Sequence, residues 1–100
     1  MLLVYGVNPV FDRKIIEIFP ELDYISKEIF GREAIITSGN DKGHMKNSLH
    51  YKWKAIDLRI VDIPEKHKWT QYAAEIRRRL SKDYDVILEK DHVHIEYDPK

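Results

Sequence analysis

The chain has 100 residues, of which 43% are hydrophobic and 34% charged, a balance typical of a folded domain and not of a disordered segment. Its 17 basic and 17 acidic side chains cancel, so composition gives no general attraction to nucleic acid or to a membrane surface. It contains no cysteine, which excludes disulfides, thiolate nucleophiles and cysteine-ligated zinc, so any metal must be bound by His, Asp or Glu.

The first part of the chain predicts a helical region followed by a strand. "MLLVYG" is compatible with a short strand or an apolar lead-in. Apolar residues then recur at intervals of three and four from Phe11 to Ile29, which is helical periodicity. Pro20 lies inside this stripe, so we expect either a kink or two helices with Pro20 in the first turn of the second. Gly31 is a natural helix stop, and residues 33–38 have the composition of a strand.

The second part of the chain predicts a loop, a strand, a helix and a hairpin. Residues 39–54 are polar and include two glycines, and loops of this length are often functional. A strand is predicted over 55–63 and a helix over 64–81, and "YDVILE" and "HVHIEY" then form a hairpin around Lys90-Asp91. This order predicts one α+β domain over residues 1–100, with helices packed on one face of a small, mostly antiparallel sheet.

Strand alternation predicts a polar face on the terminal hairpin. With Lys90 and Asp91 as the turn, side chains that point away from the core are Glu89, His92, His94 and Glu96. In the preceding strand, Asp57 and Arg59 also point away from the core. If these strands are neighbours, Asp57 and the two histidines converge on the sheet face opposite the helices.

These residues contain the ligand types that zinc prefers. His50 ends the long loop, and together with Asp57 and His94 it gives two imidazoles and one carboxylate, which leaves a fourth position for water. Asp91 and Glu89 remain as carboxylates that could take a proton from that water. Each histidine could equally be a surface residue or a core residue with a satisfied hydrogen bond, so spacing alone leaves both interpretations open.

The order of these residues resembles a known family. "S-L-H-x6-D", from Ser48 to Asp57, is followed near the C-terminus by "D-H-V-H-I-E", from Asp91 to Glu96. The pair resembles the motifs of VanY-type zinc peptidases over about residues 35–97. This family comprises D-alanyl-D-alanine carboxypeptidases and L-alanyl-D-glutamate endopeptidases of bacteria and phage lysins, and hedgehog signalling domains share its architecture.

The resemblance implies a hedgehog-like sheet with helices behind it, a zinc cleft in front, and a role for each matching residue. The implied Zn²⁺ ligands are His50, Asp57 and His94. Asp91, three residues before His94, matches the general base, although Glu89 fits the predicted hairpin face and stays an alternative. His92 occupies a position near the metal where it could stabilise the oxyanion.

The implied substrates are peptidoglycan stem peptides, and either D-Ala-D-Ala or L-Ala-D-Glu bonds could be cut. Ser48 matches a serine expected to touch substrate. The arginine that the family usually carries after the "TSG"-like strand end is absent here, and Trp53 stands where the family usually has glycine. Candidates to replace the arginine are Lys42, His44 and Arg59.

Three other interpretations of the sequence compete with a peptidase. The first is a non-catalytic, zinc-containing binding module of the same fold, and the second is a plain structural domain without metal. The third is a His-Asn-His nuclease, which "DHVH" resembles, but only six residues follow His94 and the zero net charge provides no phosphate-binding field.

The remaining expectations concern partners and location. We expect a monomer that binds a peptidoglycan peptide, with no nucleic acid and no membrane partner. The first residues lack a basic n-region and a long apolar segment, so we expect synthesis in the cytoplasm without a signal peptide. A minimal catalytic domain of this kind is typical of phage or prophage lysis proteins that act on the cell wall.

Overall fold

The structure is a computed structural model that describes residues 1–39 and 54–99. Its five strands are β1 (Leu2–Leu3), β2 (Ile35–Ser38), β3 (Ala55–Arg59), β4 (Tyr84–Leu88) and β5 (His92–Tyr97). Its helices are α1 (Arg13–Ile16), α2 (Phe19–Phe30) and α3 (Lys66–Arg79). The strands form one mixed sheet in the order β1-β2-β3-β5-β4, in which β1 is parallel to β2 and the other pairings are antiparallel. The predicted α+β class is confirmed.

The boundaries of the first two helices follow local sequence signals. The Asp12 side chain accepts a hydrogen bond of 2.9 Å from the backbone N–H of Lys14 and caps the start of α1. Pro20 lies in the first turn of α2, which is the second of the two expected arrangements. Gly31 ends α2 at φ 73°, a left-handed conformation that costs glycine little because it has no Cβ. Within the described ranges, no helix has the length and apolarity needed to span a bilayer.

The second half of the chain contains shorter elements than the sequence predicts. The strand predicted over 55–63 ends at Arg59, and a turn follows. In that turn the Asp62 carboxylate accepts a 2.9 Å hydrogen bond from Arg32, which follows α2. This contact holds the turn near the end of α2 rather than beside a neighbouring strand. The helix predicted over 64–81 is shorter at both ends and covers only α3. From inside α3, Trp69 Nε1 donates a hydrogen bond to the backbone carbonyl of Ile63, which precedes the helix.

The core lies between one face of the sheet and the helices. Fully buried side chains from the central strands are Ile56, Leu58, Val93 and Ile95, and those from the two longer helices are Leu22, Ile25, Tyr72 and Ile76. The alternation also predicts Leu88 on this face. Leu88 does lie opposite Val93, but it stays 37% exposed because β4 is the edge strand and ends at this residue.

The register of β3 against β5 separates the core from a polar face. Ile56 is opposite Ile95 and Leu58 is opposite Val93, so the residues that alternate with them project from the other side of the sheet. The polar residues among them are Asp57, Arg59, His92, His94 and Glu96. The hairpin register is the predicted one, with Ile87 opposite His94. The sheet therefore carries its ionisable groups on the face that the apolar core leaves free.

We predict that Ile95→Ala lowers the free energy of unfolding by about 2–5 kcal/mol, because it leaves a cavity at the centre of the sheet. Ile87→Ala, the same change on the adjacent strand at a side chain that is 44% exposed, should cost about 1 kcal/mol or less. Urea denaturation followed by circular dichroism measures both values. Equal losses for the two variants would contradict the described burial.

Candidate metal centre

The candidate site is centred on a contact between β3 and β5. Asp57 and His94 are direct cross-strand partners, although 37 residues separate them in the sequence. Nδ1 of His94 lies 2.8 Å from Oδ1 of Asp57. The two side chains are only 13% and 15% exposed. The predicted convergence of these two residues is therefore present in the fold.

The second ring nitrogen of His94 also faces a carboxylate. Nε2 lies 2.6 Å from Oε1 of Glu96, which is two residues further along β5 and therefore on the same face. The hydrogen bond to Asp57 raises the pKa of the His94 imidazole to about 9, against the opposing effect of burial and with a further contribution from Glu96. The ring is thus held from both sides by anionic groups and has a strong preference for positive charge.

His92 forms a second link to the same aspartate. Its Nδ1 lies 2.7 Å from Oδ1 of Asp91, and its Nε2 lies 3.5 Å from Oδ1 of Asp57. Asp91 is 64% exposed, whereas the His92 side chain is 30% exposed. A chain of polar groups therefore leads from solvent-exposed Asp91 through the His92 ring to the oxygen that also contacts His94.

Two further residues of the predicted site lie on this face. Arg59 is opposite His92 in the register, and its Nε atom is buried without a hydrogen-bond partner in the described part of the chain. Glu89 is exposed at the end of β4, where its backbone N–H donates to the carbonyl of His92.

The predicted site residues His44, Ser48 and His50 lie outside the described residues, as do Lys42 and Trp53. The structure therefore brings together two of the three predicted zinc ligands and leaves the assignment of His50 as a prediction. The candidate base Asp91 and the neighbouring His92 fall within the described part.

A second group that could hold a metal ion lies beside this site. This group consists of Asp85, Glu96 and Asp98, whose carboxylate oxygens lie within 4.8 Å of one another. Asp85 and Glu96 are partly buried, and Asp98 is exposed. The sequence alone indicates no role for any of these three acidic residues. The hairpin register could have indicated the first pair, since Asp85 lies opposite Glu96.

The chemistry of the donor set fits a divalent cation at Asp57 and His94. A carboxylate oxygen and an imidazole nitrogen are ligands that zinc prefers, and two ligand atoms on one tetrahedral zinc lie about 3.4 Å apart. The observed 2.8 Å between Oδ1 and Nδ1 is shorter than that separation, so the two atoms would have to move slightly apart to share an ion.

Comparisons of this chain with family models, with curated proteins and with solved structures find no match.

We predict that His94 titrates near pH 9 in chelator-treated protein, because Asp57 and Glu96 stabilise its protonated form. Nuclear magnetic resonance of the imidazole nitrogens measures this value directly. Asp57→Asn should lower it, since the amide is neutral. Titration of wild-type His94 at the ordinary histidine value of 6.5 would contradict the described contacts.

The same raised pKa predicts a pH dependence of metal-free stability. Below about pH 6.5 the ring is protonated in both the folded and the unfolded chain, so the stabilisation is fully present, and it is lost as the pH rises through about 9. Urea unfolding of chelator-treated protein across this interval measures the effect. The slope should be smaller in Asp57→Asn, and an equal slope in both proteins would assign the effect to other groups.

Proposed function

We propose that this chain is a zinc-dependent peptidase domain that hydrolyses peptide bonds in peptidoglycan stem peptides. The observation that carries the proposal is the 2.8 Å contact between Asp57 Oδ1 and His94 Nδ1, because the motif resemblance assigns these two residues as ligands of one metal ion. His50 completes the ligand set in this proposal. The helices on one sheet face and the polar residues on the other support the hedgehog-like arrangement with a zinc cleft.

The residues of the polar face have separate roles in this mechanism. When bound, Zn²⁺ supplies a Lewis acid that activates water and polarises a carbonyl group. Asp91 accepts the proton of the attacking water and later passes it to the departing amine. The His92 ring, whose Nε2 lies 3.5 Å from Oδ1 of Asp57, donates a hydrogen bond to the carbonyl oxygen of the substrate.

Substrate recognition is assigned to Arg59 with help from Ser48 and His44. The Arg59 guanidinium has a buried Nε without a hydrogen-bond partner in residues 1–39 and 54–99, so a carboxylate is the group best suited to pair with it. Stem peptides carry such carboxylates, and Arg59 replaces the loop arginine of the family in this proposal. The enzyme would act on the cell wall, as phage and prophage lysis proteins do.

We predict that purified wild-type protein binds one zinc ion and that Asp57→Ala and His94→Ala lose both the ion and activity, because each removes a ligand. Metal content after dialysis is measured by mass spectrometry, and hydrolysis is followed on purified peptidoglycan. His67→Ala serves as the control, since His67 is exposed on α3 and should keep full metal content. Wild-type protein without zinc would refute the proposal.

We predict that Asp91→Ala retains zinc and loses most turnover, because it removes the proton acceptor without touching a ligand. Glu89→Ala, a comparison variant on the same hairpin, should retain most activity. Muropeptide products are identified by mass spectrometry, with chelator-treated protein as the blank. If Glu89→Ala is inactive and Asp91→Ala active, the base is Glu89. If zinc is bound but wild-type protein cleaves nothing, the domain is a binding module.

A further inference from the structure

We infer that Glu96 is a positioning residue that selects which nitrogen of His94 binds the metal. Its carboxylate holds the Nε2–H group of the ring, so that Nδ1, on the side of Asp57, is the ligand atom. The inference rests on the proposed function, since it assumes a metal ion shared by Asp57 and His94. It assigns a role to a residue that the motif resemblance leaves without one.

The contacts of the ring support this assignment. His94 and Glu96 are two residues apart on β5, which places both side chains on the polar face, and the Nε2 to Oε1 distance is 2.6 Å. Glu96 is 22% exposed and His94 is 15% exposed, so the contact is largely shielded from water. On the other side of the ring, Nδ1 faces Asp57. The ring is therefore fixed in orientation by two partners that lie on opposite sides.

The tautomer of the His94 ring determines which nitrogen becomes the metal ligand. An ionised carboxylate only accepts hydrogen bonds, and a neutral imidazole has one N–H group and one lone pair. With a metal ion at Asp57, the nitrogen that faces Asp57 presents its lone pair to the ion, and the nitrogen that faces Glu96 carries the N–H group. Histidine ligands of metals usually donate their other N–H group to a carboxylate or a carbonyl, and this contact both fixes the tautomer and strengthens the ligand. Binding then releases the Nδ1 proton.

A competing arrangement uses Glu96 as a direct ligand. In that case Glu96 would coordinate an ion together with Asp85 and Asp98, whose carboxylates lie nearby. We favour the positioning role because Glu96 already bonds to a ring nitrogen, whereas Asp98 is exposed and the acidic group contains no nitrogen ligand. The two arrangements differ in the nitrogen that contacts the metal and in the effect of removing Asp98.

The first experiment needs no variant. Protein labelled with nitrogen-15 at histidine is loaded with cadmium-113, a magnetic substitute for zinc, and the one-bond coupling between metal and nitrogen is measured. We expect the coupling of His94 on Nδ1, and a protonated Nε2. Coupling on Nε2, or no coupling at His94 in metal-loaded protein, would overturn the inference.

The second experiment measures zinc affinity by competition with a chelating dye. Glu96→Ala should weaken binding by about 10–100-fold, as is usual when a partner of a histidine ligand is removed. Glu96→Gln should weaken it less, because its amide oxygen can still accept the Nε2–H group. Asp98→Asn is the matched control, since it removes one negative charge from the same acidic group and should leave affinity within about threefold of wild type.

The outcomes separate the inference from the proposed function. Unchanged affinity in Glu96→Ala, or an equal loss in Asp98→Asn, overturns the positioning role and leaves the peptidase proposal intact. Wild-type protein that binds neither zinc nor cadmium overturns both.

Discussion

The antiparallel pairing of β3 with β5 is the constraint on which both the core and the polar site depend. Because side chains alternate along a strand, a slip of one residue would move the apolar side chains out of the core and carry Asp57 away from His94. The register is held by fully buried pairs, of which Ile56 with Ile95 is central. The apolar face thus fixes the geometry of the ionisable face behind it. The burial that stabilises the domain also positions its candidate chemistry.

The polar face requires a cation for electrostatic reasons. Asp57 and Glu96 are both largely shielded from water and approach the same imidazole from opposite sides. Shielded carboxylates are costly unless a positive charge lies between or beside them. In the metal-free protein the protonated His94 ring supplies that charge, which is why its pKa is raised to about 9. In the proposed function, a divalent ion at Asp57 would supply the same charge in place of the proton.

The sequence predicts which face of its strand each side chain occupies. It predicts contacts between strands only if the strand order is known. Alternation within "HVHIEY" and "AIDLRI" assigns His94 and Asp57 to a face, because the period of a strand depends on nothing outside it. The neighbour relation between β3 and β5 could only be assumed, since no local signal specifies strand order. The sequence predicts too late an end for β3 because an apolar run continues past Arg59, whereas the ion pair of Asp62 with Arg32 is a tertiary contact between distant residues. The sequence does not indicate the proposed role of Glu96 either, because that role depends on which nitrogen of the His94 ring faces Asp57.

The two histidines of β5 have different partners, and the difference suits different chemistry. His92 bonds to Asp91, which is 64% exposed, whereas His94 bonds to Glu96, which is 22% exposed. A carboxylate in contact with solvent can exchange protons with water during a reaction cycle, whereas a shielded one that is hydrogen-bonded to a ring holds that ring in one orientation. Asp91 is therefore suited to proton transfer and Glu96 to positioning. In the proposed mechanism, an imidazole–carboxylate pair at the exposed end of β5 would serve proton transfer, and one at the shielded end would orient a metal ligand.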